Sequence, residues 1–277
     1  TYLRVDDAYT DWYYSRFGKR IDRSKVLPIR NSLQGIPTSG RNWMKVIDRV
    51  LKELGFTSTT HDRCVYRRGS GDDLMLLLRQ VDDISIGTTS KSDAETLTTA
   101  IGARVKFEDE KDIPIKFLGL VEDFNGVDIA QYKECIYVSS ENYIKRLLKT
   151  HGWDTTAPNE STKRPTSPLP PDSIKKLYST VGPKEGTISH TILEKEQGFA
   201  YRTLLGELMY AYITTRLDIG YAITTLSRFS SCPDTLHYDL LKGVAKYLRR
   251  TITWGIKFDR QTPMDCFKPP LLLLQIQ

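Results

Sequence analysis

A chain of 277 residues, 39% hydrophobic and 27% charged, has the composition of an ordinary globular protein and is long enough for one large domain or two smaller ones. Its formal net charge of +6 mildly favours a polyanionic partner without requiring one. The four cysteines (Cys64, Cys135, Cys232, Cys266) form no C-x-x-C pair and the four histidines show no metal-binding spacing, which argues against zinc or a disulfide framework and for an intracellular protein with reduced thiols.

In chain order, Tyr2 to Arg30 interleaves aromatic with basic residues, among them Trp12, Tyr13, Arg16, Phe17, Lys19 and Arg20. Such a pattern suits stacking on bases and pairing with phosphates; the plainer reading is a half-buried aromatic surface covered by Lys and Arg stems. Val5-Asp6-Asp7 lacks apolar strands on both sides and reads as a loop without metal. A glycine-punctuated loop from Ser32 then feeds a helix with Trp43, Val46, Ile47, Val50, Leu51 and Leu54 at helical period, Thr38 or Ser39 as its cap and Gly55 as its stop.

Cys64-Val65-Tyr66 reads as a strand and Gly69–Asp73 as a turn. The segment from Leu74 to Gly87 places Asp82 and Asp83 between two apolar runs; Asp is depleted from strand interiors but accepted in turns, so a β-hairpin carries the pair at or beside its tip. Adjacent carboxylates on a stiff element suit Mg²⁺, while an ordinary surface turn is the plain alternative. Ser92 or Asp93 can cap a short helix through Leu97 and Ile101. Residues 115–121 form another strand, and Asn125-Gly126 is a strong hairpin signal returning into strands at 127–131 and 136–138.

Ser139 or Ser140 caps a helix with Tyr143, Ile144, Leu147 and Leu148 on one face and Lys145, Arg146 and Lys149 on the other, ended by Gly152. Pro, Ser, Thr and Lys dominate from Asp154 to about Gly186, the composition of a linker. Helical periodicity returns over 199–212, 218–229 and 235–249, followed by a strand from Trp254 to Phe258. The stretch 263–277 has no clear pattern, and its apolar run Leu271–Leu274 is too short to span a bilayer. Thr1 in place of a start methionine suggests a piece of something longer.

Several segments stand in one order: Ser32-Leu33-Gln34-Gly35 with Arg41-Asn42-Trp43, Asp62-Arg63-Cys64-Val65-Tyr66, Gln80-Val81-Asp82-Asp83-Ile84, Phe117-Leu118-Gly119, and Tyr143-Ile144-Lys145-Arg146-Leu147-Leu148. Tyr201-Arg202 with Tyr210, Thr215-Arg216-Leu217-Asp218-Ile219, Ser227-Arg228-Phe229 and Lys246-Tyr247-Leu248 follow. This collinear set, covering nearly all of Ser32 to Phe258, resembles the reverse transcriptase of copia-type LTR retrotransposons.

The resemblance implies an α+β fold: a palm-type polymerase subdomain with an antiparallel sheet and helices, followed by a mainly helical thumb or connection region. The boundaries expected from it are a partial fingers and palm over 1–138, a thumb-like helix over 139–153, a linker over 154–190, a helical thumb or connection over 191–260 and an irregular tail over 261–277. It implies RNA-directed DNA synthesis by two-metal nucleotidyl transfer, with Asp82 and Asp83 catalytic and holding Mg²⁺ or Mn²⁺. Gln34, Gly35 and Arg41 would contact nucleotide and template; Gln80, Phe117, Leu118 and Gly119 would contact the primer. The implied partners are RNA or DNA template-primer, deoxynucleoside triphosphates and the remainder of a polyprotein, with no membrane. The implied location is a cytoplasmic particle or the nucleus.

Three departures from the family pattern stand beside it. Gln80 replaces the usual tyrosine, the upstream V-D-V-x-x-A-F segment with a third metal-binding aspartate has no match, and the chain stops before the acidic residues of a ribonuclease H domain. The expectation is a polyprotein piece inactive alone. The alternatives are a decayed remnant that binds nucleic acid non-specifically and a metal-dependent phosphohydrolase, for which the sequence offers no further ligand cluster.

Overall fold

The computed structural model describes residues 2–22, 24, 26–28, 35–105, 115–155, 167–260 and 271–276. The chain divides into two compact units, 1–119 with 271–277 and 120–270.

In the first unit, β1 (Tyr2–Leu3) pairs with β2 (Leu27–Pro28), and between them runs α1 (Asp7–Phe17). The Asp6 side chain accepts from the Tyr9 amide at 2.8 Å, so the first Val-Asp-Asp serves as a helix entry. Helix α2 (Ser39–Glu53) buries Ile47, Val50 and Leu51, the face its spacing predicts, and gives way to Gly55 at φ +83°. Four strands follow: β3 (Thr57–Ser58), β4 (Val65–Arg68), β5 (Met75–Gln80) and β6 (Asp83–Gly87), each antiparallel to the next. Helix α3 (Lys91–Gly102) is capped by Ser90, two residues before the first expected cap, Ser92, because the Ser90 hydroxyl takes the Asp93 amide. Ala94, Leu97 and Ile101 of α3 join the side chains of α2 and of β4 to β6 in one core, and β7 (Ile115–Leu120) adds Ile115 and Phe117 at its margin.

In the second unit, β8 (Asp123–Phe124) and β9 (Val127–Gln131) flank Asn125 and Gly126, both at positive φ as a type I′ hairpin requires. With β10 (Cys135–Ser139), α4 (Glu141–Thr150), α5 (Pro171–Leu177), α6 (Ile188–Gln197), α7 (Tyr201–Thr214), α8 (Gly220–Ser227), α9 (Thr235–Arg250) and β11 (Gly255–Asp259), the unit has a sheet ordered β11-β10-β9-β8 beside a helical core that includes Ile144, Leu148, Leu204, Leu208, Ile223 and Leu241.

The segment 154–190, expected as linker, is in part core. Residues 156–166 lie outside the described residues, but Leu169 and Leu177 are buried and Pro171 opens α5. Proline at the first helical position gives up an amide that would have no partner there, so prolines that read as linker composition start a helix instead. His237 fastens α5 to α9: its Nδ1 accepts the Asp234 amide at 3.0 Å, which leaves Nε2 to donate to the Leu177 carbonyl at 3.0 Å.

Arg216 is 1% exposed, between α7 and α8. It donates to both Asp218 oxygens at 2.9 and 2.8 Å and to the Thr251 carbonyl and hydroxyl at 3.0 and 2.6 Å. Its guanidinium lies against the Tyr247 and Trp254 rings. Burial pushes the Asp218 carboxyl up, but the bonds from Arg216 and Tyr247 outweigh it and hold the group below the usual carboxylate range.

The expected irregular tail is corrected by the structure. Although 261–270 lie outside the described residues, β12 (Leu271–Ile276) pairs antiparallel with β6 and makes the first unit's sheet β3-β4-β5-β6-β12-β7. Its run of leucines has no polar alternation, so it carries no period-2 signal that would mark a strand. Among the described residues, no helix is long and apolar enough to cross a membrane.

Candidate functional site

The alternation of β5 sets the hairpin. Met75, Leu77 and Arg79 are buried, Leu78 and Gln80 exposed, and β6 buries Ile84 to Gly87. Gln80 pairs with Asp83, leaving a two-residue loop of Val81 and Asp82. Val81 has φ +53° and Asp82 is not at positive φ, the pattern of a type II′ turn, where glycine is the usual first residue. A β-branched residue there costs on the order of 1–3 kcal/mol and persists only when its surroundings fix it. Part of that constraint comes from Trp43 on α2, whose indole N–H donates to the Val81 carbonyl at 2.9 Å. Trp43→Phe keeps an aromatic ring and deletes this bond; hydrogen exchange at the hairpin tip is expected to quicken about fivefold, the equivalent of ~1 kcal/mol.

Asp82 is exposed in the loop and Asp83 is half-buried at the start of β6. Two oxygen-rich side chains on one rigid turn fit Mg²⁺, which is commonly held by one or two carboxylates and completes its shell with substrate phosphate and water. Among the described residues, no group of three or more His, Cys, Asp or Glu side chains converges.

Beneath the tip, Arg79 is 4% exposed; its Nη2 lies 3.4 Å from the Cys64 sulfur and its Nε is buried without a hydrogen-bond partner. On the same side Asp48 of α2 accepts from Lys52 at 2.7 Å and from the Tyr66 hydroxyl at 3.0 Å. The Lys52 bond holds the Asp48 carboxyl below its ordinary range against the opposing effect of burial, with further help from Tyr66. A depressed folded pKa stabilises the fold above the unfolded value of about 3.9 and loses that contribution as pH falls through the folded value. Asp48→Asn is therefore expected to flatten the acid limb of the first unit's stability profile below about pH 4, read by thermal melts across pH.

The other expected site residues are dispersed. Gln34 lies outside the described residues. Gly35 is exposed at φ +88°, and a Cβ there would meet nothing within 4 Å, so glycine serves the backbone conformation at that position. Arg41 is exposed in the first turn of α2, the helix that carries Trp43. Gln80 is exposed at the end of β5, adjoining the loop. On β7, Phe117 packs on the core with Lys91 5.9 Å from its ring centre, Leu118 is exposed and Gly119 has φ +87°. The structure thus unites Gln80, Asp82 and Asp83 on one hairpin and sets Phe117 to Gly119 on a strand separated from β6 by β12. Sequence reasoning missed the role of Trp43 as a support for the loop and the burial of Arg79. The second was readable, since Arg79 shares parity with Met75 and Leu77.

Residues 1–166 match the family model described as reverse transcriptase (RNA-dependent DNA polymerase). The chain is 28% identical over 229 residues to the retrovirus-related Pol polyprotein from transposon TNT 1-94 of Nicotiana tabacum, covering 82% of this chain and 16% of that protein. It is 25% identical over 249 residues to the Pol polyprotein from transposon RE1 of Arabidopsis thaliana, covering 89% of this chain and 15% of the relative. Against the putative transposon Ty5-1 protein of Saccharomyces cerevisiae it is 25% identical over 233 residues, covering 84% of this chain and 68% of the relative. No solved structure matches the chain.

Proposed function

Because the chain belongs to the reverse transcriptase (RNA-dependent DNA polymerase) family, we propose that its Val81-Asp82-Asp83 hairpin is the metal-holding turn of a templated DNA polymerase that works within a longer Pol polyprotein. The observation that carries this reading is the pair of carboxylates displayed at the tip of a hairpin anchored in the core, with the loop carbonyl fixed by Trp43. Asp82 would ligate Mg²⁺ directly, with Mn²⁺ as a possible substitute, and Asp83 would ligate or orient. The chemistry supplied by the bound ions is activation of a primer 3′-hydroxyl and neutralisation of charge on the triphosphate. Gln80, exposed beside the loop, offers the primer end a hydrogen-bonding amide where the family has an aromatic ring. Arg41, at the start of α2, offers a guanidinium to a phosphate. Phe117 to Gly119 would contact the primer from β7.

A second reading is favoured by the pair of carboxylates standing without a third among the described residues. In it the chain is a retroelement remnant that binds nucleic acid through basic surfaces such as Lys145, Arg146 and Lys149 of α4. The chain expressed within its longer reading frame should extend a primer on an RNA template only when Mg²⁺ or Mn²⁺ is present. Salt-sensitive binding with no extension under any metal would replace the first reading by the second.

A further inference from the structure

We propose that the gap between β6 and β7 is an acceptor site for an extended, uncharged peptide strand, and that Leu271–Ile276 occupies it as a separable ligand. The strands β3 to β6 follow one another in the chain and each pairs with the next, whereas the strand beside β6 arrives only after the whole second unit, Leu120–Pro270. That unit has a core of its own, built on α4 to α9. The support of the hairpin is likewise its own: Ile47 and Leu51 of α2 and Leu97 of α3 are buried in one cluster with Leu77, Ile84 and Ile86. The acceptor edge is therefore laid out by residues that precede the ligand strand by a full domain.

The pairing runs from Leu271 opposite Gly87 to Gln275 opposite Asp83. Such pairing is made by main-chain groups, which any extended segment can supply, while neighbouring side chains set the chemistry that is admitted. Ile84, Ser85, Ile86 and Gly87 are all buried, so a charged residue entering beside them would be stripped of water without a partner. Leu271–Ile276 contains no charged residue and no proline, the composition that this edge accepts. Because the register ends opposite Asp83, occupancy of the gap also braces the carboxylate end of the hairpin.

Leu273, opposite Ser85, is the position to test in the full chain. Leu273→Pro removes a backbone donor and should release the strand. The amides of Asp83–Gly87 that face β12 are then expected to exchange about tenfold faster or more, with β4, β5 and the second unit unchanged. A lysine-tagged peptide of sequence Leu271–Gln277 added in trans should restore protection, and the same peptide with proline at the Leu273 position should not. Leu273→Lys, which keeps every backbone donor and introduces a charge, should behave in the same way and respond to the same peptide. Unchanged protection in both variants would overturn the proposal. So would a local loss that the unmodified peptide fails to restore, restoration by the proline peptide, or loss of protection across β4, β5 and α2 that the peptide does not reverse, the last because the strand would then be integral to the fold.

Discussion

Arg216→Met is expected to destabilise the second unit by about 3 kcal/mol and lower its melting temperature by roughly 6–12 °C, followed through Trp153 and Trp254 fluorescence. The guanidinium is 1% exposed and joins Asp218 to Thr251 while lying against two aromatic rings, so no other contact replaces it. Removing one member of a buried pair leaves the other charge without compensation, which is where most of the loss arises. The low end of the range applies because the Asp218 side chain is 31% exposed and keeps the Tyr247 hydroxyl at 2.8 Å. Adding Asp218→Leu to the variant removes the stranded carboxylate and should recover part of the loss. If the double variant melts below the single one, Asp218 stabilises this region through contacts other than Arg216.

Within the longer reading frame, and on the proposed polymerase reading, Asp82→Asn is expected to reduce primer extension by about 10²–10³-fold or more, the scale of removing one electrostatic partner of a transition state. The substitution keeps the volume and the turn preference of the residue and deletes the charge, so the hairpin and salt-dependent nucleic-acid binding should persist. Asp83→Asn should act in the same direction, with an added structural cost because Asp83 is itself half-buried at the start of β6. Extension that survives Asp82→Asn unchanged would remove the hairpin from the chemistry.

What the sequence made legible follows the range of the interactions involved. The hairpin at Asp82 and the turn at Asn125-Gly126 were readable because local composition sets them, and the structure gives both as tight two-residue turns. The helices α2, α4, α7 and α9 were readable from apolar spacing alone. Trp43 and Val81 meet across 38 positions, and nothing local to either announces the bond. The positive φ of Val81 was hidden for the opposite reason, since its residue type argues against it. Composition misled at 167–177, where Pro170 and Pro171 read as linker yet precede and open a helix that ends in the buried Leu177. It misled again at Leu271–Ile276, because a central strand apolar throughout has no period to detect and its partner lies a domain away.

The place of β12 in the chain has a consequence for biosynthesis. The ribosome completes β6 and β7 before it makes Leu120–Pro270, and only then the strand that lies between them. At about 5–20 residues per second, the edge of β6, complete at Gly87, waits roughly 9–40 s until β12 is finished at Ile276. During that interval the nascent first unit presents unpaired backbone groups on the strand that carries Asp83, a surface open to chaperones and to the edges of neighbouring nascent chains. Yield of folded protein should therefore depend on translation rate and on chaperone supply more steeply for this chain than for one whose sheet closes in sequence order.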